Sequence, residues 1–153
     1  MPRKKRITKK ILFAKTVEIL QPYLNLRDWR IIVRYSSRMK NTADCEASPE
    51  YKEAVIRCNT KQLGELSHYD VVSIAIHEMV HCLLWPLTDW TETLCKNDVT
   101  KLNMTSKIEE GIVTNFEKML VVMAEDILKN ELATQGYSDI ELVFTEFEVH
   151  NER

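Results

Sequence analysis

The sequence predicts a single α+β domain, and three observations carry that expectation. Apolar residues at helical spacing near the start are followed by two short β-branched runs. A helix that is apolar on every side comes next, and a long amphipathic helix follows it. The chain has 153 residues, 44% hydrophobic and 29% charged, which suits one domain around one core and argues against two.

Each element has its own signal. Residues 7–20 place Ile11, Leu12, Val17, Ile19 and Leu20 at helical spacing among lysines, and Pro22 marks the stop. Residues 29–35 (WRIIVRY) and 53–60 (EAVIRCNT) are β-branched and aromatic, with residues 44–48 and a turn at Pro49 between them, so a small antiparallel meander is expected. Residues 69–85 spread Val, Ile, Ala, Met, Leu and Cys around almost the whole helical circumference, which predicts a buried helix stopped by Pro86. A polar loop of about 20 residues follows, and then a helix over 108–132 with the apolar stripe Ile112, Phe116, Met119, Leu120, Met123 and Ile127. Residues 139–149 read as a last strand. The chain thus divides into a basic arm at 1–10, the folded domain at 11–138 and a C-terminal strand or tail at 139–153.

Composition narrows the function classes. With three glycines there is no GxGxxG or GxxxxGK loop to cradle phosphates, so nucleotide-dependent chemistry is disfavoured. Cys45, Cys58, Cys82 and Cys95 form no CxxC pair, and free thiols are expected, although Cys45 and Cys58 fall on runs that would make them neighbours. No apolar run approaches the roughly 18 residues of a membrane span, and the apolar stretch at 11–14 is too short for a secretory core, so a cytoplasmic protein is expected. Six of the 21 basic residues lie in the first ten positions, leaving 15 against 23 acidic ones in an acidic body. Such an arm suits weak nucleic-acid contact by counterion release, or is simply a solvated terminus.

The chemistry concentrates in the buried helix, where His77, Glu78 and His81 are the only basic or acidic residues between Val71 and Leu87. Imidazoles at i and i+4 project from one helical face and reach a single ion, and neutral imidazole is a ligand for zinc. Left unpaired, each buried ring would cost roughly 1–3 kcal/mol. Glu78 faces away from both, where a carboxylate serves as general base toward water without ligating the metal. A chance HExxH is expected about once in a hundred such chains, and a core His-Glu-His hydrogen-bond network is the structural alternative.

Through His77-Glu-Met-Val-His81 the chain resembles the zincin metallopeptidases. Metzincins would need Gly at 84 and His at 87, where Leu84 and Leu87 stand, and the only later histidine is His150. The segment Glu109-Glu110-Gly-Ile-Val-Thr-Asn-Phe-Glu117 resembles the second-helix segment of gluzincins, and that resemblance makes Glu110 the third zinc ligand. Gly111 beside it would let two helices approach closely. Helical projection instead puts Glu109 nearer the middle of the apolar stripe, so Glu109 stays an alternative. His81-Cys-Leu-Leu-Trp-Pro-Leu87 is similar to the wording in compact gluzincin-like proteins of phage and prophage genes. The resemblance implies a single small zincin-like domain and zinc-dependent hydrolysis of a peptide or protein substrate.

In that expectation Zn²⁺ on His77, His81 and Glu110 activates water, Glu78 carries the proton, and the strand ending at Thr60 adds the substrate as an extra strand. Tyr69 and Tyr137 are oxyanion candidates by residue type, with packing the plainer role. Two other readings compete. One is a non-catalytic zinc-stabilised binding module closed by Asp89, Glu92, Cys95 or Asp98. The other is a DNA-tethered protease that uses the basic arm. Trp85, Trp90 and Leu94 are expected in the core.

Overall fold

The computed structural model describes residues 6–137. In chain order its elements are α1 (Lys9–Leu20), β1 (Arg30–Ser36), β2 (Ala43–Ser48), a 3-10 turn (Pro49–Tyr51), β3 (Glu53–Asn59), α2 (Thr60–Glu65), α3 (His68–Leu94) and α4 (Val99–Thr134). The class is α+β, with four α-helices and one small mixed sheet. The strand expected over 139–149 and the first half of the basic arm lie outside the described residues.

The sheet is not the antiparallel meander that the sequence suggests. Strand order is β1-β3-β2, with β1 parallel to β3 and β2 antiparallel to it. The strand with the most apolar inner face takes the centre: Ala54, Ile56 and Cys58 of β3 are buried, while the short polar β2 (ADCEAS) is left at an edge. Because β3 is paired on both sides, it cannot take a peptide as an added strand; among the described residues the unpaired edge on the α3 side belongs to β2. The Asn59 N–H donates to the Thr42 carbonyl at 2.8 Å. Alternation from that bond turns the backbone groups of Ala43, Cys45 and Ala47 outward.

α3 is the central element. Ser67 caps its start in a reciprocal box with Asp70, and its residues 71–82 are mostly buried against α1, β2 and α4. By length and composition alone its 27 residues could cross a membrane, yet the apolar first half is covered by the rest of the fold. Leu12, Phe13 and Val17 of α1 pack into the same core.

Pro86 does not stop α3, which runs on to Leu94. Proline removes the N–H that would serve the Cys82 carbonyl, and threonine hydroxyls add bonds on either side of it: Thr88 Oγ1 donates to Leu84 O at 3.3 Å and Thr91 Oγ1 to Leu87 O at 3.0 Å. The expected 20-residue loop shrinks to residues 95–98, where Asp98 caps α4 by accepting from the Lys101 N–H at 3.0 Å. α3 and α4 therefore form one long antiparallel hairpin. Trp85 packs against the core, whereas Trp90 and Leu94 are 60% and 65% exposed, contrary to expectation.

α4 buries a different stripe from the one with the largest side chains. Val113, Val121, Ala124, Leu128 and Leu132 face inward, while Phe116, Met119 and Met123 are exposed. The inward row also contains Glu109 and Glu117, so polar partners on α3 set the rotation of α4. Gly111 is exposed and a Cβ there would meet nothing within 4 Å, so close helix approach does not depend on it.

Candidate metal centre

The antiparallel pairing of α3 and α4 places His77 and His81 opposite the first half of α4. His77 Nδ1 lies 2.9 Å from Glu117 Oε2, and His81 Nδ1 lies 3.1 Å from Glu109 Oε1. A carboxylate only accepts, so in the neutral rings both Nδ1 atoms carry the proton and both Nε2 atoms present a lone pair. Those two Nε2 atoms stand 3.2 Å apart. The Glu110 carboxylate straddles them, with Oε2 3.5 Å from His77 Nε2 and Oε1 3.4 Å from His81 Nε2.

With both rings neutral, the two Nε2 lone pairs and the Glu110 carboxylate face one another and favour a cation or a shared proton between them. Donors on a tetrahedral ion at about 2.0–2.1 Å stand about 3.3 Å from one another, close to the 3.2 Å between the two Nε2 atoms, while the 3.4 and 3.5 Å contacts run to different oxygens of Glu110. Among the described residues the group of possible metal donors is His77, His81 and Glu110. Glu109 is brought to the site too, but on the far side of His81, where it orients the ring. The donor set fits zinc, and each imidazole has the carboxylate support that metal-bound histidines normally receive.

Glu78 lines the same cleft on its β2 side, near Asp44 and Cys45. It is 6% exposed, and no described residue donates a hydrogen bond to it, so it forms no His-Glu-His network. Burial, opposed by His77 and assisted by Asp44, Glu110 and Glu117, pushes its carboxyl up to about 7. His77 is raised by its bond to Glu117 against the effect of burial. Burial would raise Glu117, but the bonds from His77 and Ser73 outweigh it and hold Glu117 below its ordinary value.

His77, Glu78, His81 and Glu110 all line one cleft of about 410 Å³, with Asn41, Ala43, Asp44 and Cys45 of the β2 side as its other wall. No protein-family model, curated protein or solved structure matches this chain. Its site therefore has to be judged on chemistry alone.

The other expected positions fall outside the donor group. Glu92 lines the cleft rim, and Asp89 lines an adjoining cavity between α3 and α4. Cys95 and Asp98 sit at the hairpin turn, about 20 Å beyond His81 at 1.5 Å per residue, too far to close a site. Tyr69 and Tyr137 pack against the core and do not line the cleft. The four cysteines are free thiols; Cys45 lies diagonal to Cys58 on the sheet, but its Sγ meets Cys82 Sγ at 3.1 Å.

Sequence reasoning missed Glu117 and Ser73, whose hydroxyl donates to Glu117. A signal existed. Glu109 and Glu117 are eight residues apart, just over two helical turns, on the row that holds Val113, while His77 and His81 are one turn apart on α3. Two facing rows of that kind let each imidazole meet its own carboxylate.

Proposed function

We propose that the protein is a zinc-dependent peptide hydrolase, with His77, His81 and Glu110 as metal ligands and Glu78 as general base. The observation that carries this reading is the convergence of three lone-pair donors whose supporting nitrogens are both held by carboxylates. The likeness of HEMVH and of the Glu109-Glu110-Gly segment to gluzincins supports it from the sequence side.

Zinc, when bound, supplies a Lewis acid that polarises a carbonyl and acidifies water. The chain's own residues do the rest. Glu109 and Glu117 fix the tautomers and orientations of the two imidazoles, and the bond to Glu117 raises the basicity of His77. Three protein donors leave a position open to the cleft, as a catalytic rather than a structural site requires. Glu78, with its affinity for protons near neutrality and no hydrogen bond from any described residue, takes a proton from water and returns it to the leaving amine. The outward backbone groups of Ala43, Cys45 and Ala47 pair with an extended peptide laid along β2, which holds a substrate by its main chain.

The test uses the full chain loaded with zinc and a mixed peptide substrate. Glu78→Gln is expected to keep about one zinc per chain by elemental mass spectrometry, keep its circular dichroism, and lose turnover by about 10²–10⁴-fold. Undiminished cleavage would refute the base assignment. Chelator-free protein that arrives empty and refuses added Zn²⁺ would refute the metal centre itself.

A further inference from the structure

Ion pairing divides the cations of this protein into two groups. On the sheet, Arg57 is held by Asp44 at 2.6 Å and Glu46 at 3.2 Å, Arg30 by Glu53 at 3.3 Å, and Lys52 by Asp28 at 3.3 Å. By contrast Lys9, Lys10, Arg34, Arg38, Lys40 and Lys61 make no ion pair with any described residue. Hydrogen bonds tie these six to one end of the fold. Lys9 Nζ donates to Gly64 O at 3.2 Å, which joins the start of α1 to α2. Gln62 Nε2 donates to Lys40 O at 3.0 Å and Asn59 Nδ2 to Met39 O at 2.7 Å, which joins the turn after β1 to the start of α2 and hence to Lys61. The Tyr35 hydroxyl donates to Lys10 O at 2.7 Å, and Lys10 Nζ stands 5.6 Å from the Tyr35 ring centre. Arg34 precedes Tyr35 on the open edge of the sheet, beside Arg57.

Uncompensated like charges gathered on one surface repel one another, and in a chain of net charge −2 that gathering is not a matter of overall balance. The nearest acids are either committed, as Asp44 and Glu46 are to Arg57, or single, as Glu65 is at the end of α2. Arg6, exposed just before α1, adds a further cation at the same end. We infer that this end of the fold, where the start of α1, the end of β1 with the turn after it and the start of α2 meet, binds the phosphodiester backbone of nucleic acid without sequence preference. A regular polyanion neutralises many separated cations at once and releases its own counterions. A lipid surface fits less well, because membrane binding joins cations to a broad apolar face, and the more exposed Trp90, Leu94, Met119 and Met123 lie on α3 and α4, while Ile11 and Tyr35 near the cations are each only 37% exposed. No metal is needed for this contact, so it stands or falls apart from the hydrolase reading.

Fluorescence anisotropy of a labelled random-sequence duplex of about 20 base pairs, titrated with the full chain between about 50 and 200 mM salt, tests the surface. Affinity is expected to fall steeply with salt. The triple variant Arg34→Glu, Arg38→Glu, Lys40→Glu is expected to bind at least about tenfold more weakly, with a log–log salt slope shallower by about 3. All three side chains are exposed, and circular dichroism checks the fold. The milder set Arg34→Gln, Arg38→Gln, Lys40→Gln should fall between, and Lys107→Glu with Lys118→Glu on α4 should bind like the native protein. An absent anisotropy change at about 50 mM salt, equal binding by the triple variant, or binding to phosphatidylserine vesicles without binding to DNA would each overturn the inference.

Discussion

The two halves of α3 share one helix and a similar share of apolar residues, yet they live in different environments. Residues 71–82 carry Val71, Val72, Ala75, Ile76, Met79, Val80 and Cys82 fully buried, and the metal-site histidines emerge from among them. Residues 83–94 carry Leu87, Trp90 and Leu94 largely in solvent. The first half is enclosed by α1, β2 and α4; in the second, Leu84 and Trp85 still reach the core, and the rest runs beside the polar beginning of α4. Apolar composition therefore says that a segment can be buried, and the number of neighbouring elements decides whether it is.

Several changes would break or sharpen that contrast. The largest effect is expected from Ile76→Ala, which opens a cavity in the enclosed half and should cost about 2–5 kcal/mol in urea or guanidinium unfolding. A cost below about 1 kcal/mol would mean that the half is not closely packed. Pro86→Ala should act in the opposite direction. It restores an amide for the Cys82 carbonyl in a continuous helix and is expected to stabilise the chain by up to about 3 kcal/mol, whereas destabilisation would indicate that the helix ends at the proline after all.

Next come the carboxylates behind the imidazoles. Glu109→Gln and Glu117→Gln are each expected to weaken zinc binding by about 10–100-fold in competition titrations, with the unfolding midpoint of the metal-free chain moving little. Unchanged affinity in both would remove their orienting role. The pH profile sharpens the same point. In the metal-free chain the bond to Glu117 raises His77, so it keeps its proton to a higher pH than a free imidazole. Zinc must displace that proton. Apparent affinity should be level above the raised value and fall about tenfold per pH unit below it, and Glu117→Gln should move the onset to lower pH. A profile that does not depend on pH through the imidazole range would contradict this. The smallest effect is expected from Leu94→Ala, within about 0.5 kcal/mol. A cost like that of Ile76→Ala would show that the open half is covered in solution.

Much of the site was legible in the sequence because its information is local. His77, Glu78 and His81 are fixed relative to one another by helical period, whatever surrounds them. The Glu109 or Glu110 choice was not, since neighbouring positions on one helix differ by about 100° and only the partner helix says which angle faces the histidines. Helical projection favoured Glu109 by assuming that the bulkiest apolar stripe faces inward. The fold buries the smaller Val113, Val121 and Ala124 instead, which lets Glu110 reach both Nε2 atoms and places Glu109 and Glu117 against the two Nδ1 atoms.

By itself the sequence determined the α+β class, the buried first half of α3 and the spacing of the two imidazoles. All of these follow from propensity and period within one element. Only the tertiary structure decided the parallel pairing of β1 with β3, the passage of α3 through Pro86, the rotation of α4 and the gathering of unpaired cations at one end of the fold. Each of those depends on which surfaces meet across long stretches of chain. A strand pairing, a tolerated proline or a helix rotation is chosen by the summed burial and hydrogen bonding of both partners, and no single segment carries that sum.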